Sequence, residues 1–167
     1  WAITIPDEDM NLPLASSACN KIEKSLHGND DRVLLKTVHG NDDRVRIKNT
    51  TVFPYKCIAR LYITGQNGDR WSGSGFFIGP KCVITSGHVV FPDRRWASEI
   101  KVVPGQNGNN GPFGAQVSRK FCSVAGWTDD NRENPEDYDY GAIILPDTTL
   151  YNRICAYFEY QVNDNPG

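Results

Sequence analysis

The sequence has one methionine, no long apolar run and no excess of basic residues, and each shortage removes a class of function. No stretch approaches the ~18 consecutive apolar residues of a membrane-spanning helix, so no membrane partner is expected. Lys and Arg number 18 against 20 Asp and Glu, and no basic stripe interrupts the balance, so no nucleic-acid partner is expected either. The five cysteines include no C-x-x-C pair, which argues against a zinc site; no metal or other cofactor is expected. Helix signals are scarce. The chain opens on Trp1 without a basic-then-apolar leader and therefore reads as a processed chain or a fragment.

What is present is enough for one domain, or one and a fraction: 167 residues, 39% hydrophobic. The cysteines, with the sequon Asn49-Thr50-Thr51, fit an oxidising, secretory setting. Their odd number leaves one thiol without a partner in the chain.

Residues 1–24 are unlike the rest. The stretch 1–13 is acidic and extended, with Pro6 and Pro13 opposing a helix, and 16–26 carries a short helical pattern. A tandem duplication follows. Residues 25–36 and 37–48 match at eight of twelve positions, both containing His-Gly-Asn-Asp-Asp-Arg-Val. Two such units are too few and too short for a solenoid. They read either as a repeated surface turn around Gly28 and Gly40, or as a maturation boundary, since Lys24 and Lys36 precede the two copies. His27 and His39 read as solvated turn residues.

From Thr50 onward short strands dominate. The β-branched and aromatic composition predicts strands over 52–63, 71–78, 81–85, 100–103, 116–123 and 140–145. Gly65-Gln66-Asn67-Gly68-Asp69 reads as a hairpin loop and Gly79-Pro80 as a tight turn. Residues 104–114, with four glycines and three asparagines, form a surface loop, and 129–137 an acidic one. This spacing predicts an all-β fold, an antiparallel barrel or sandwich.

Two settings carry chemistry. Val83-Ile84-Thr85-Ser86-Gly87-His88 ends an apolar strand on a turn and presents a histidine at the corner. Asp137-Tyr138-Asp139-Tyr140-Gly141-Ala142-Ile143 places carboxylates at the head of another apolar strand. A carboxylate bonded to an imidazole N–H fixes the ring's tautomer and frees the other nitrogen to accept a proton. Asp137 and Asp139 share strand parity, so alternation does not choose between them.

Thr85-Ser86-Gly87-His88 resembles the T-[AS]-[AG]-H signature of chymotrypsin-like serine proteases, and Asp139-Tyr140-Gly141-Ala142-Ile143 resembles their D-x-[AG]-[AL]-[IL] strand. The stretch 38–51, with Phe53-Pro54-Tyr55, Gly75-Phe76-Phe77-Ile78-Gly79-Pro80-Lys81, Pro104-Gly105-Gln106-Asn107-Gly108 and Tyr138-Asp139-Tyr140-Gly141-Ala142-Ile143, is similar to the bacterial-type glutamyl endopeptidases over about residues 37–160. The resemblance implies a chymotrypsin-like barrel over 37–146, with the start of a second over 147–167. It implies a propeptide over 1–36, with a mature start near Thr37. It makes His88 the general base and Asp139 its orienting carboxylate, in a secreted endopeptidase that cuts polypeptides after Glu or Asp.

The chain departs from that family in three respects. Many relatives bridge a cysteine directly after the histidine to one in the preceding strand, and those positions correspond to Val89 and Gly73; Cys57 and Cys82, on predicted neighbouring strands, are an alternative pair. No serine follows Asp139 in the remaining 28 residues, where relatives carry the nucleophile in G-x-S-G-[GS]. Ser74 precedes the histidine and belongs to a strand end, which makes it a poor substitute. The oxyanion hole, built around that serine, is missing with it. The chain alone is therefore expected to be inactive and to expose an apolar barrel face that binds the missing C-terminal half or another chain. The alternative is a non-catalytic pseudoprotease that binds a partner through the barrel.

Overall fold

The computed structural model describes residues 45–129 and 135–160. The segment 1–36, the duplicated turn with His27 and His39, the helical pattern over 16–26 and the expected start near Thr37 all lie outside the described residues.

Seven strands follow one another: β1 (Ile58–Thr64), β2 (Arg70–Gly79), β3 (Cys82–Thr85), β4 (Glu99–Pro104), β5 (Gln116–Ser118), β6 (Lys120–Ser123) and β7 (Gly141–Ile144). All pairings are antiparallel, in the order β5-β4-β1-β2-β3-β7-β6. The outermost strands, β5 and β6, are consecutive in the chain and separated only by Arg119, so the sheet curls on itself into a nearly closed barrel. Closure removes the exposed edges that an open sheet would present.

Side-chain alternation builds the core. In β1, Ala59, Leu61 and Ile63 point inward and are buried, while Ile58, Arg60 and Tyr62 are exposed, the period of two that a half-buried strand requires. Phe77, Val83, Ile100, Val102, Phe121 and Ile143 complete the interior from the other strands.

Several expectations need correction. The strand expected over 52–63 begins only at Ile58, because Pro54 interrupts the ladder and residues Tyr55–Cys57 form a 3-10 turn. The single strand expected over 116–123 is two strands. Ser118 makes the break: its hydroxyl donates to Ile144 O at 2.5 Å and accepts the Lys120 N–H at 3.0 Å, turning the chain from the β4 ladder to the β7 ladder. Cys57 and Cys82 are not on neighbouring strands, since β2 runs between β1 and β3. Both are thiols, as are Cys122 and Cys155.

Of residues 147–167, expected to start a second barrel, the structure describes 147–160, and these carry no strand. They form a helix and an extended segment folded back on the first barrel. The helix, Thr149–Ile154, starts where Asp147 Oδ1 accepts the Thr149 N–H at 2.7 Å. Leu150 and Ile154, four residues apart and so on one face, are fully buried in the barrel core. Beyond it the Phe158 N–H donates to Phe77 O at 2.8 Å, and its ring lies 5.7 Å from that of Phe53 and 5.8 Å from that of Phe76.

Candidate active site

Two one-turn helices flank the site: α1 (Gly87–Val90), directly after β3, and α2 (Ala125–Thr128), directly after β6. The 3-10 turn Pro135–Tyr138 leads into Asp139 and then β7.

The strand register brings His88 and Asp139 together. β3 and β7 pair from Cys82↔Ile144 to Thr85↔Gly141. Continuing that antiparallel count by three residues sets position 88 opposite 138, at the same rim of the barrel. The chain then turns into α1, and His88 Nδ1 lies 2.8 Å from Asp139 Oδ2. The other carboxylate oxygen, Oδ1, accepts the backbone N–H of His88 at 2.8 Å. Asp137, the alternative with the same parity, lies in the 3-10 turn and is exposed.

An ionised carboxylate only accepts hydrogen bonds. The Nδ1–Oδ2 contact therefore sets the proton on Nδ1 and leaves the Nε2 lone pair available. The imidazole is open to solvent, with 62% of its side-chain surface exposed, against 30% for Asp139. Such a group can take a proton from an incoming hydroxyl. Among the described residues no serine hydroxyl is hydrogen-bonded to His88. Ser74 lies within β2 opposite Arg60, and its carbonyl accepts the Thr85 hydroxyl at 2.8 Å.

A cavity of about 290 Å³ opens beside the imidazole, lined by Ile63, Trp71, Ser72, Val89, Pro92 and Asp93 as well as His88. Asp93, in its lining, is in the left-handed region at φ 49°, as is the next residue, Arg94, at φ 61°, a conformation that costs energy for side chains other than glycine. Sequence reasoning missed this cavity, because its lining comes from β1, β2 and the turn after α1. The family disulfide position is filled by packing: a Cβ on Gly73 would lie 3.1 Å from Val89 Cγ2. Among the described residues no three His, Cys, Asp or Glu side chains are grouped so as to hold a metal ion.

A nearly closed antiparallel barrel with a histidine and an aspartate hydrogen-bonded at its rim is the architecture of a chymotrypsin-like serine protease domain. No protein-family model matches the chain, but individual proteins do. It is 37% identical over 139 residues to a glutamyl endopeptidase of Bacillus licheniformis, covering 82% of this chain and 37% of that protein. It is 42% identical over 99 residues, 58% of the chain and 31% of the relative, to a Bacillus subtilis protein named an extracellular metalloprotease. Among solved structures, a Glu endopeptidase in complex with MPD superposes with TM-score 0.60 at 27% identity, over 75% of this chain and 55% of that one. The protease Anisep from Arthrobacter nicotinovorans shares the fold at TM-score 0.55 and 20% identity, over 67% of this chain and 52% of that one. The chain is thus similar to chymotrypsin-like serine proteases and, among them, to the glutamyl endopeptidases. It spans about a third of the length of the curated relatives it matches.

Proposed function

We propose that this chain supplies the base and its orienting carboxylate to a secreted serine endopeptidase that cuts polypeptides after Glu or Asp. The observation that carries the reading is the two-point contact between Asp139 and His88. In the complete enzyme a serine hydroxyl attacks the scissile carbonyl. His88 Nε2 takes its proton and returns it to the leaving amine, and Asp139 holds the ring and stabilises its charged form. The cavity beside His88 has room for a peptide side chain next to the cut. Preference for acidic residues is supported by the names of the glutamyl endopeptidase relatives. Secretion is supported by the name of the Bacillus subtilis relative, an extracellular protein.

In this proposal residues 1–36 are a propeptide, 37–146 the first barrel, and 147–167 lead toward a second. The 167-residue polypeptide is inactive by itself. Loss of a triad nucleophile costs on the order of 10⁶ in turnover even where an oxyanion hole survives, and no serine follows Asp139 in these 167 residues. Phe53, Ile58 and Phe76 are exposed on the outside of the barrel and form the face on which further chain docks.

The test is hydrolysis of fluorogenic peptides carrying Glu, Asp, Lys or Leu before the cut, by the full-length protein and by the 167-residue chain. The proposal requires cleavage after Glu or Asp by the former and none by the latter. Cleavage after Lys or Leu alone refutes the specificity. Turnover by the 167-residue chain refutes the assignment of an external nucleophile.

A further inference from the structure

The helix α2 meets both partners of the His–Asp pair through their chain neighbours, and we infer that Trp127 on this helix is a positioning residue for the pair. The inference rests on His88 and Asp139 acting as base and orienting carboxylate.

Gly87 precedes His88 and begins α1. A Cβ placed on it would lie 2.7, 2.8 and 2.9 Å from Cδ1, Cγ and Cδ2 of Trp127, closer than non-bonded carbons approach. The indole therefore sits directly on the bare Cα next to His88. On the other side, a Cβ on Gly126 would lie 2.4–2.8 Å from the ring carbons of Tyr138, the residue before Asp139. Two consecutive residues of α2, one bare and one aromatic, thus touch the neighbour of each partner. The helix continues directly from β6 and is closed by its own bonds: the N–H groups of Trp127 and Thr128 donate to Val124 O at 2.9 and 3.1 Å, and that of Asp129 to Ala125 O at 2.7 Å. Val124, at the end of β6, is buried.

The pair needs such a brace. α1 is a single turn, too short to be stable by itself, and its N-cap Ser86 makes no side-chain capping bond. The N–H bond that ties Asp139 back to its own turn, to Glu136 O, is long at 3.5 Å. The outer side of the imidazole is open to water. The rigid indole, with two side-chain torsions, fixes how α1 leaves the barrel and hence the angle at which His88 meets Asp139. Displacements of ~1 Å at such a site cost about 100-fold in rate.

The experiment uses the 167-residue chain with ¹⁵N-labelled histidines. Long-range ¹H–¹⁵N spectra report the tautomer of each imidazole and the exchange of its Nδ1 proton with water. The His88 signal is assigned by its loss in His88→Gln. In the parent chain it is a single Nδ1–H tautomer with a slowly exchanging proton, and Asp139→Asn abolishes it. Absence of this signature in the parent chain refutes the underlying pair itself, whatever Trp127 does. In Trp127→Ala the Nδ1 proton exchanges about tenfold faster or more and the Nε2–H tautomer appears, while amide signals of Leu61 and Val102 in the barrel stay in place. Trp127→Phe, which keeps a ring over Gly87, retains the parent signature. A parent-like tautomer and exchange rate in folded Trp127→Ala overturns the inference. Should that variant fail to fold, Trp127→Leu decides, since it keeps an apolar side chain but no ring over Gly87: loss of the signature with an intact barrel supports the brace, and retention overturns it.

Discussion

Asp139→Asn replaces a carboxylate with an amide of the same shape, and the structure allows its consequence to be worked out. Asp139 accepts two hydrogen bonds from His88, at Nδ1 and at the backbone N–H, both 2.8 Å. Asparagine offers one accepting oxygen and one donating amine. If the oxygen keeps the backbone N–H, the amine faces Nδ1, and the ring answers by moving its proton to Nε2. The nitrogen that should accept the serine proton then already carries one. If the amide turns the other way, its amine opposes the backbone N–H, and that pair of donors is unsatisfied. In a Ser-His-Asp triad this exchange lowers kcat by about 10⁴, or ~5.5 kcal/mol of transition-state stabilisation. The effect on folding is far smaller. Hydrogen bonds to a charged group contribute ~1.5–3 kcal/mol when buried, and solvent around the exposed imidazole and the partly exposed carboxylate reduces this to about 1 kcal/mol. The assay pairs kcat/KM of the full-length protein on a Glu-containing peptide with urea unfolding of the 167-residue chain. The expected result is a rate loss of about 10³–10⁴ with nearly unchanged unfolding. Activity within tenfold of the parent, or a stability loss above ~3 kcal/mol, refutes the reasoning.

Leu150→Ala removes a fully buried side chain that ties the terminal helix to the barrel, and urea titration is expected to show ~2–5 kcal/mol lost; a change below ~1 kcal/mol would show that this helix does not share the core. The Asp147 carboxyl is held below its ordinary 3.8 by the side-chain and backbone hydrogen bonds of Thr149, with Gln116 and Lys81 adding smaller contributions. A lowered folded-state value means stability that is present above the unfolded value and lost as pH falls through the folded one, so circular dichroism should show the helix loosening below about pH 4, less so in Asp147→Asn. Burial raises the Cys57 thiol above its ordinary 9.0, a shift only partly opposed by Lys56, whereas Cys155 is exposed. Peptide mapping after brief iodoacetamide treatment at neutral pH should find Cys155 labelled well before Cys57; equal labelling would contradict the burial.

The parts of the fold written in local pattern were legible. The alternation of Ala59, Leu61 and Ile63 against Arg60 and Tyr62 marks β1, and Gly65 to Asp69 marks the hairpin that leads to β2. Less legible were features decided by partners far away in the chain. Nothing in residues 116–123 announces a break at Arg119; it arises because Ser118 finds the carbonyl of Ile144, 26 residues on. The helix Thr149–Ile154 has two apolar anchors in six residues, too few for a periodic signal, and is held by the core it fills. Within the site, His88 stood out from its own surroundings. Parity alone left Asp139 and Asp137 equivalent; the family resemblance singled out Asp139, and the β3–β7 register with the turn after Gly87 brings it against the imidazole. The contribution of α2 was invisible, because Trp127 and Gly126 act on glycine and tyrosine neighbours rather than on the histidine and aspartate themselves.

The most direct test of the central claim is His88→Ala in the full-length protein, with kcat measured on a peptide bearing Glu before the cut. Removal of the base should lower turnover by about 10⁶ while the barrel remains folded. Turnover within tenfold of the parent would show that proton transfer runs through some other group, and that the imidazole at this rim is not the base of the reaction.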